Sequence, residues 1–148
     1  MFRVSPHLTF DGHCEAAFQF YAATFGGTIV RMVPYRQLPP TGDVPPAWGD
    51  KIFHASLMIG HVRVIGADIL PGSYRRPQGF FVFLNVDNPE DARRVYAALA
   101  DQGQVQMPMQ TTFWSPACGS VVDRFGVPWE IAADSPKPAP PVADPNAS

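Results

Sequence analysis

Residues 3–10 alternate. Val4, Pro6, Leu8 and Phe10 fall on one side, and Arg3, Ser5, His7 and Thr9 on the other. A period of two predicts a strand whose two faces have different surroundings. The period then changes. Phe18, Tyr21, Ala22 and Phe25 recur at helical spacing, which predicts a helix that Asp11 caps, Glu15 favours in its first turn and Gly26-Gly27 ends. Residues 28–35 read as a second strand. Residues 52–59 and 62–67 read as a hairpin over Gly60-His61. Phe53, Ala55, Leu57 and Ile59 share one side of its first strand; Ile52, His54, Ser56 and Met58 share the other. Asp68 closes its second strand.

The second half runs through the same sequence of patterns. Residues 80–86 are strongly β-prone. Asp87 or Asn88 caps a helix that has Pro89 in its first turn and a buried stripe of Ala92, Val95, Tyr96 and Leu99. Residues 104–111 form a strand that Pro108 makes an edge or bent one. Residues 113–132, FWSPACGSVVDRFGVPWEIA, read as strand, turn at 123–128, and strand. Two stretches fall outside these periods. Residues 36–50 hold four prolines and predict a long loop, with Trp48 as a lid over a pocket or an anchor on the core. Residues 69–78 form a linker carrying Arg75-Arg76.

The order strand, helix, strand, strand, strand thus occurs twice. The helix stripes 18/21/22/25 and 92/95/96/99 have the same spacing, and VRVIGAD (62–68) resembles PWEIAAD (128–134). One such unit is too small to bury both faces of its sheet. The expected fold is α+β: two βαβββ modules forming a curved mixed-sheet cup, with helices on the outside. The expected division is 1–68, linker 69–78, 79–134, and a disordered Pro/Ala-rich tail over 135–148.

At 148 residues with 46% hydrophobic content, the chain has enough apolar material for a real core. A formal charge of −2 without a basic block argues against nucleic acid as a partner. No apolar run approaches a membrane span, and the opening MFRVSPHLTF lacks a signal-peptide layout. With only Cys14 and Cys118, the expectation is a reduced, cytoplasmic setting.

The closing stretch resembles the final hairpin of vicinal-oxygen-chelate proteins (the glyoxalase, bleomycin-resistance and extradiol-dioxygenase fold), and most closely their PhnB-like branch. The residues that carry the resemblance are Phe113, Trp114, Gly119, Asp123, Phe125, Gly126, Pro128 and Trp129. FDGHCEAAFQFYAATFGG (10–27) and HASLMIG (54–60) add to it. The resemblance implies paired modules around a U-shaped cup, a small-molecule ligand and a homodimer. It also implies that metal-binding members take ligands from the first and last strand of each module. Aligning Asp11 with Asp87 and Asp68 with Asp134 puts His7, Val64, Phe83 and Glu130 at those places. His7 and Glu130 are the candidate metal ligands, for Zn, Mn, Ni or Fe.

Glu130 stands in an otherwise apolar strand. Without a metal it is a candidate general acid or base, with His54 or His7 beside it. Thr9, Trp48, Ser56, Phe81, Phe83, Trp114 and Cys118 are the candidate pocket lining. Two readings follow. One is a metal-dependent lyase, isomerase or dioxygenase-type enzyme of glyoxalase-like character. The other is a bleomycin-resistance-like protein that sequesters a small molecule without turnover. No glycine-rich phosphate loop is present.

Overall fold

A computed structural model describes residues 1–40, 42–135 and 142–146. Most of the expected tail, at 136–141 and 147–148, lies outside the described residues. The first module contains β1 (His7–Phe10), α1 (Cys14–Phe25), β2 (Thr28–Pro34), β3 (Ile52–Ile59) and β4 (Val62–Asp68). The second contains β5 (Val82–Val86), α2 (Pro89–Ala100), β6 (Gln104–Gln110), β7 (Cys118–Val122) and β8 (Pro128–Ala133). The α+β class and the two βαβββ modules are therefore present. Each module makes one four-stranded mixed sheet, ordered β1-β4-β3-β2 and β5-β8-β7-β6. In both, the first strand runs parallel to the last and the remaining pairs are antiparallel. Pro108 lies on β6, an outer strand of its sheet, where a missing donor is tolerated.

The two parallel pairs fix how the modules correspond. Ile69 N–H donates to the Phe10 carbonyl, and Asp134 N–H donates to the Val86 carbonyl. His7 lies opposite Ile65, and Phe83 lies opposite Glu130. The counterpart of Glu130 is therefore Ile65. The expected alignment of Asp68 with Asp134 was one residue out, and in a strand a one-residue slip changes the face. Val64 is 3% exposed and packs in the core.

Each helix covers one side of its sheet, and both helix-covered sides feed a single core. Leu8, Phe10, Phe18, Leu57 and Val64 from the first module join Val95, Leu99, Val121, Trp129 and Ile131 from the second. Close approach of helix to sheet needs glycine. A Cβ on Gly66 would sit 2.6 Å from the Phe18 ring, and one on Gly119 would sit 2.7 Å from Tyr96. The helix termini show one agreement and one correction. Asn88 caps α2 by accepting from the Asp91 N–H at 2.8 Å. Asp11 does not cap α1, whose N-cap is His13 with no side-chain bond. Asp68 accepts the Cys14 N–H at 2.9 Å and the Ile52 N–H at 2.8 Å. A buried carboxylate from β4 thus ties together the starts of α1 and β3. Among the described residues, no helix is long and apolar enough to cross a membrane.

Candidate functional site

The side of each sheet that carries no helix is where the predicted polar residues collect. Across the first sheet, Arg31, Ser56, Ile65 and His7 stand directly opposite one another from β2 to β1. Across the second, Ser120, Glu130 and Phe83 do the same from β7 to β5. Thr9 lies opposite Ala67 and shares the His7 face. Cys118, Ala132 and Asn85 make the next row beside Glu130. The strand period alone produces this sorting: Leu8, Phe10, Trp129 and Ile131 alternate with these residues and are buried beneath the helices.

Glu130 is half-buried, and His7 is exposed. Among the described residues, the side chains of Glu130, His7 and His54 form no hydrogen bond or ion pair. A half-buried carboxylate without a partner retains full capacity to bind something else. His7 and Thr9 line a hollow of about 320 Å³ with Arg76, Pro77 and Gln78. Phe81 lines a second hollow of about 310 Å³ with Arg76, Gln104 and Pro128. Phe81 and Phe83 also border an apolar groove of about 620 Å³. Its other wall is Ile59, Val62 and Val64 from the first sheet, together with Trp129 from the helix side of the second. The modules meet through their helix-covered sides, and none of these hollows contains both His7 and Glu130. The expected meeting of these two residues does not occur within one chain.

Other expected lining residues stand elsewhere. Trp48 lies in the short 3-10 turn Pro46–Trp48. Its ring meets the Lys51 ammonium at 5.8 Å, and Lys51 donates to the Gly12 carbonyl at 3.0 Å. It anchors its loop near the entry to α1 and lines none of these hollows. Trp114 is 51% exposed and Phe113 is 96% exposed. They precede β7 in a turn closed by the Thr112 N–H on the Ser115 carbonyl, and Trp114 borders no hollow. Ser56 and Cys118 are on the helix-free faces but buried, at 5% and 0% exposure. Burial, with Asp68 and Glu15 adding to it, also pushes the Cys14 thiol far above its ordinary range.

The closing-hairpin signature has a structural role that its residue types alone do not announce. Asp123 is 4% exposed. It accepts from the Phe125 N–H at 2.8 Å, the Val127 N–H at 3.0 Å and the Trp129 indole N–H at 2.8 Å. The Tyr21 hydroxyl on α1 donates to it as well. Burial first, and Asp123 second, hold the Tyr21 hydroxyl well above its ordinary value, so it stays a donor. Tyr21 also packs edge-on against Trp129 with ring centroids 5.2 Å apart. One carboxylate therefore shapes the β7–β8 turn and clamps the first helix to the second module.

The glyoxalase/bleomycin resistance protein/dioxygenase superfamily model matches residues 5–131 of this sequence. This chain belongs to that superfamily. Within it, the chain is 30% identical to the Escherichia coli protein YjdN over 138 residues, which is 86% of this chain and 92% of that one. Its fold matches the crystal structure of protein PA1353 from Pseudomonas aeruginosa with a TM-score of 0.80 and 38% identity, covering 90% of this chain and 98% of the other. A Bacillus cereus PhnB protein, described as a putative 3-demethylubiquinone-9 3-methyltransferase, matches with a TM-score of 0.76 at 21% identity, over 89% and 99% of the two chains. That second likeness concerns the fold alone.

Some members of this superfamily hold a divalent metal in the cup, so the donor set can be tested against that role. The four register positions here are His7, Ile65, Phe83 and Glu130. Two of them carry hydrocarbon and cannot ligate. Among the described residues, no three His, Cys, Asp or Glu side chains come close enough to hold a metal ion. The set within one chain does not fit a metal of four protein ligands.

Proposed function

We propose that this chain is a PhnB-like small-molecule-binding protein whose site lies on the helix-free faces of its sheets and is completed by a second copy. The observation that carries this reading is the pair of matched rows, Arg31–Ser56–Ile65–His7 and Ser120–Glu130–Phe83. Each is half of a polar-and-apolar lining, and the two do not meet in one chain. Support for a second copy comes from the sheet edges. β1 and β5 are the outer strands of their sheets. Phe80, Phe81 and Phe83 beside them are 51%, 43% and 55% exposed. An unpaired edge flanked by exposed aromatic rings is a surface that association covers. Edge-to-edge pairing of β1 with the second copy's β5 would bring one His7 row to face one Glu130 row. The two free, buried cysteines suit a cytoplasmic setting.

Fragment mapping by amide NMR tests this. Uncharged, drug-sized fragments are expected to move the amides of residues 7–9, 54–58, 81–85, 118–120 and 130, and a Ser56→Trp substitution is expected to abolish the response by filling the face. Responses confined to other surfaces would contradict the reading. Sequestration without turnover is favoured by the two hydrocarbon positions, Ile65 and Phe83. The metal-assisted reading, with lyase-, isomerase- or dioxygenase-type chemistry, is favoured by His7 on β1 and Glu130 on β8, the two ligand-competent residues among the four register positions. Metal analysis after reconstitution with zinc or manganese separates the two. We expect substoichiometric metal that is unchanged in His7→Ala; one ion per site, lost in both His7→Ala and Glu130→Gln, would establish the metal reading.

A further inference from the structure

Charge is distributed unevenly between the two helix-free faces. The chain as a whole carries −2, yet strands β1 to β4 contain a single carboxylate, Asp68. Asp68 is 1% exposed and its oxygens serve the Cys14 and Ile52 N–H groups, so it contributes nothing to the open face. Arg31 stands opposite Ser56, and Arg63 opposite Met58. Alternation along β3 and β4 therefore puts both guanidiniums on the face of Ser56 and Ile65. At the hairpin end of that face lies a hollow of about 490 Å³ lined by Arg3, Ser5, Met58, His61 and Arg63. Its charged lining is of one sign.

These arginines are uncommitted. The side-chain ion pairs of the described residues join Arg36 to Asp50, Arg94 to Asp91 and Arg124 to Asp101. None involves Arg3, Arg31 or Arg63, and among the described residues none of the three guanidinium groups donates a hydrogen bond. A concave surface lined by charge of one sign concentrates counter-ions. Guanidinium groups in particular present paired donors to carboxylate and phosphoryl oxygens. The volume is in the range of small-molecule sites.

We propose that the ligand of this protein is a small organic anion. Arg63 and Arg3 grip its carboxylate or phosphoryl group at the hairpin end of the first sheet, and the remainder of the molecule extends over Ser56 and Ile65 toward His7. This rests on the reading that the helix-free faces form the binding site, and it names the ligand class for that site. The arrangement also gives the two halves of the site separate tasks. The first sheet supplies positive charge, and the second supplies Glu130 and the aromatic wall.

The test is an amide NMR titration of the full chain with sodium phosphate and with sodium acetate at constant ionic strength, with choline chloride as the cationic control. One or both anions are expected to move the amides of residues 3–5 and 58–63 in a saturable way, with choline inert. Arg63→Gln is expected to weaken that binding about tenfold, from loss of a charge-assisted hydrogen-bond pair. Arg93→Gln, on the exposed side of α2, is expected to leave it unchanged. Responses equal in wild type and Arg63→Gln, or equally large around Arg93, would identify an adventitious ion only and overturn the proposal. If uncharged fragments bind the face while neither anion does, the ligand class is wrong and the binding reading stands. If nothing binds the face, both fall.

Discussion

Replacing Asp123 with Ala should cost about 3–5 kcal/mol of folding stability. The substitution strips the acceptor from four donors at once: the Phe125 and Val127 amides, the Trp129 indole and the Tyr21 hydroxyl. The Val127, Trp129 and Tyr21 donors are left in a buried setting where water cannot replace the lost bonds, and the Phe125 amide in a part-buried one. Tyr21→Phe removes one donor and keeps the edge-on contact with Trp129 and the stack on Phe25, so its cost should be about 1–2 kcal/mol. Urea unfolding of both variants measures these values, and a loss below about 1 kcal/mol in Asp123→Ala would show that the clamp is dispensable. The alkaline side provides a signed check. The Tyr21 proton is bound more tightly in the folded chain than at the ordinary tyrosine value of 10. Its contribution is whole below that value. It is lost as pH rises above it toward the raised folded value, because unfolded chains give up the proton first. Tyr21→Phe should therefore flatten the fall in stability above pH 10 that wild type shows.

The second large effect is at Asp68. Asp68→Ala leaves the Cys14 and Ile52 N–H groups, both buried, without an acceptor, and should cost about 2–4 kcal/mol. Asp11→Ala should cost less than about 0.5 kcal/mol, since Asp11 is exposed and caps nothing. Thermal or urea unfolding of the pair distinguishes a remote cap from a local one. The reverse ranking would restore Asp11 to the role that its position before the helix suggests.

These two carboxylates mark the boundary of what the letters could reveal. The element order, both helix stripes, the β3–β4 hairpin and the Asn88 cap were legible because each depends on residues close in sequence. The Asp68 cap was not, because donor and acceptor are 54 positions apart. The Tyr21–Asp123 clamp spans 102 positions. A signal for it was present: Tyr21 carries the one hydroxyl in the stripe of Phe18, Ala22 and Phe25, and a buried hydroxyl needs a partner. The slip between Val64 and Ile65 arose because matching aspartates stood in for register. Register in a parallel pair is set by backbone hydrogen bonds, and Asp68 and Asp134 occupy different rungs of the two ladders.

The site was legible in composition but not in assembly. His7, Thr9, His54, Ser56, Phe83 and Glu130 were read from strand alternation, and the register places His7 with Ser56 on one helix-free face and Phe83 with Glu130 on the other. Strand period says which face a residue takes; it says nothing about which face meets which. Trp48 and Trp114 were read as lining from their ring chemistry, whereas both sit in turns outside the strands whose faces carry the candidate residues. Arg3 and Arg63 were read only as possible partners for Glu130, because no arginine of the first sheet stands out alone. Their meaning comes from the absence of a carboxylate on that face, which only the strand register reveals.

The proposed site requires one association: β1 of one copy pairing edge to edge with β5 of another, so that the two helix-free faces share one hollow. Sedimentation equilibrium of the purified chain at micromolar concentration measures it directly. The predicted mass is twice the 16.2 kDa of a single chain, falling to a single chain when Phe81 and Phe83 are both changed to Glu. A wild-type mass of 16.2 kDa that persists at the highest soluble concentration would leave His7 and Glu130 on separate surfaces, and would contradict the shared site.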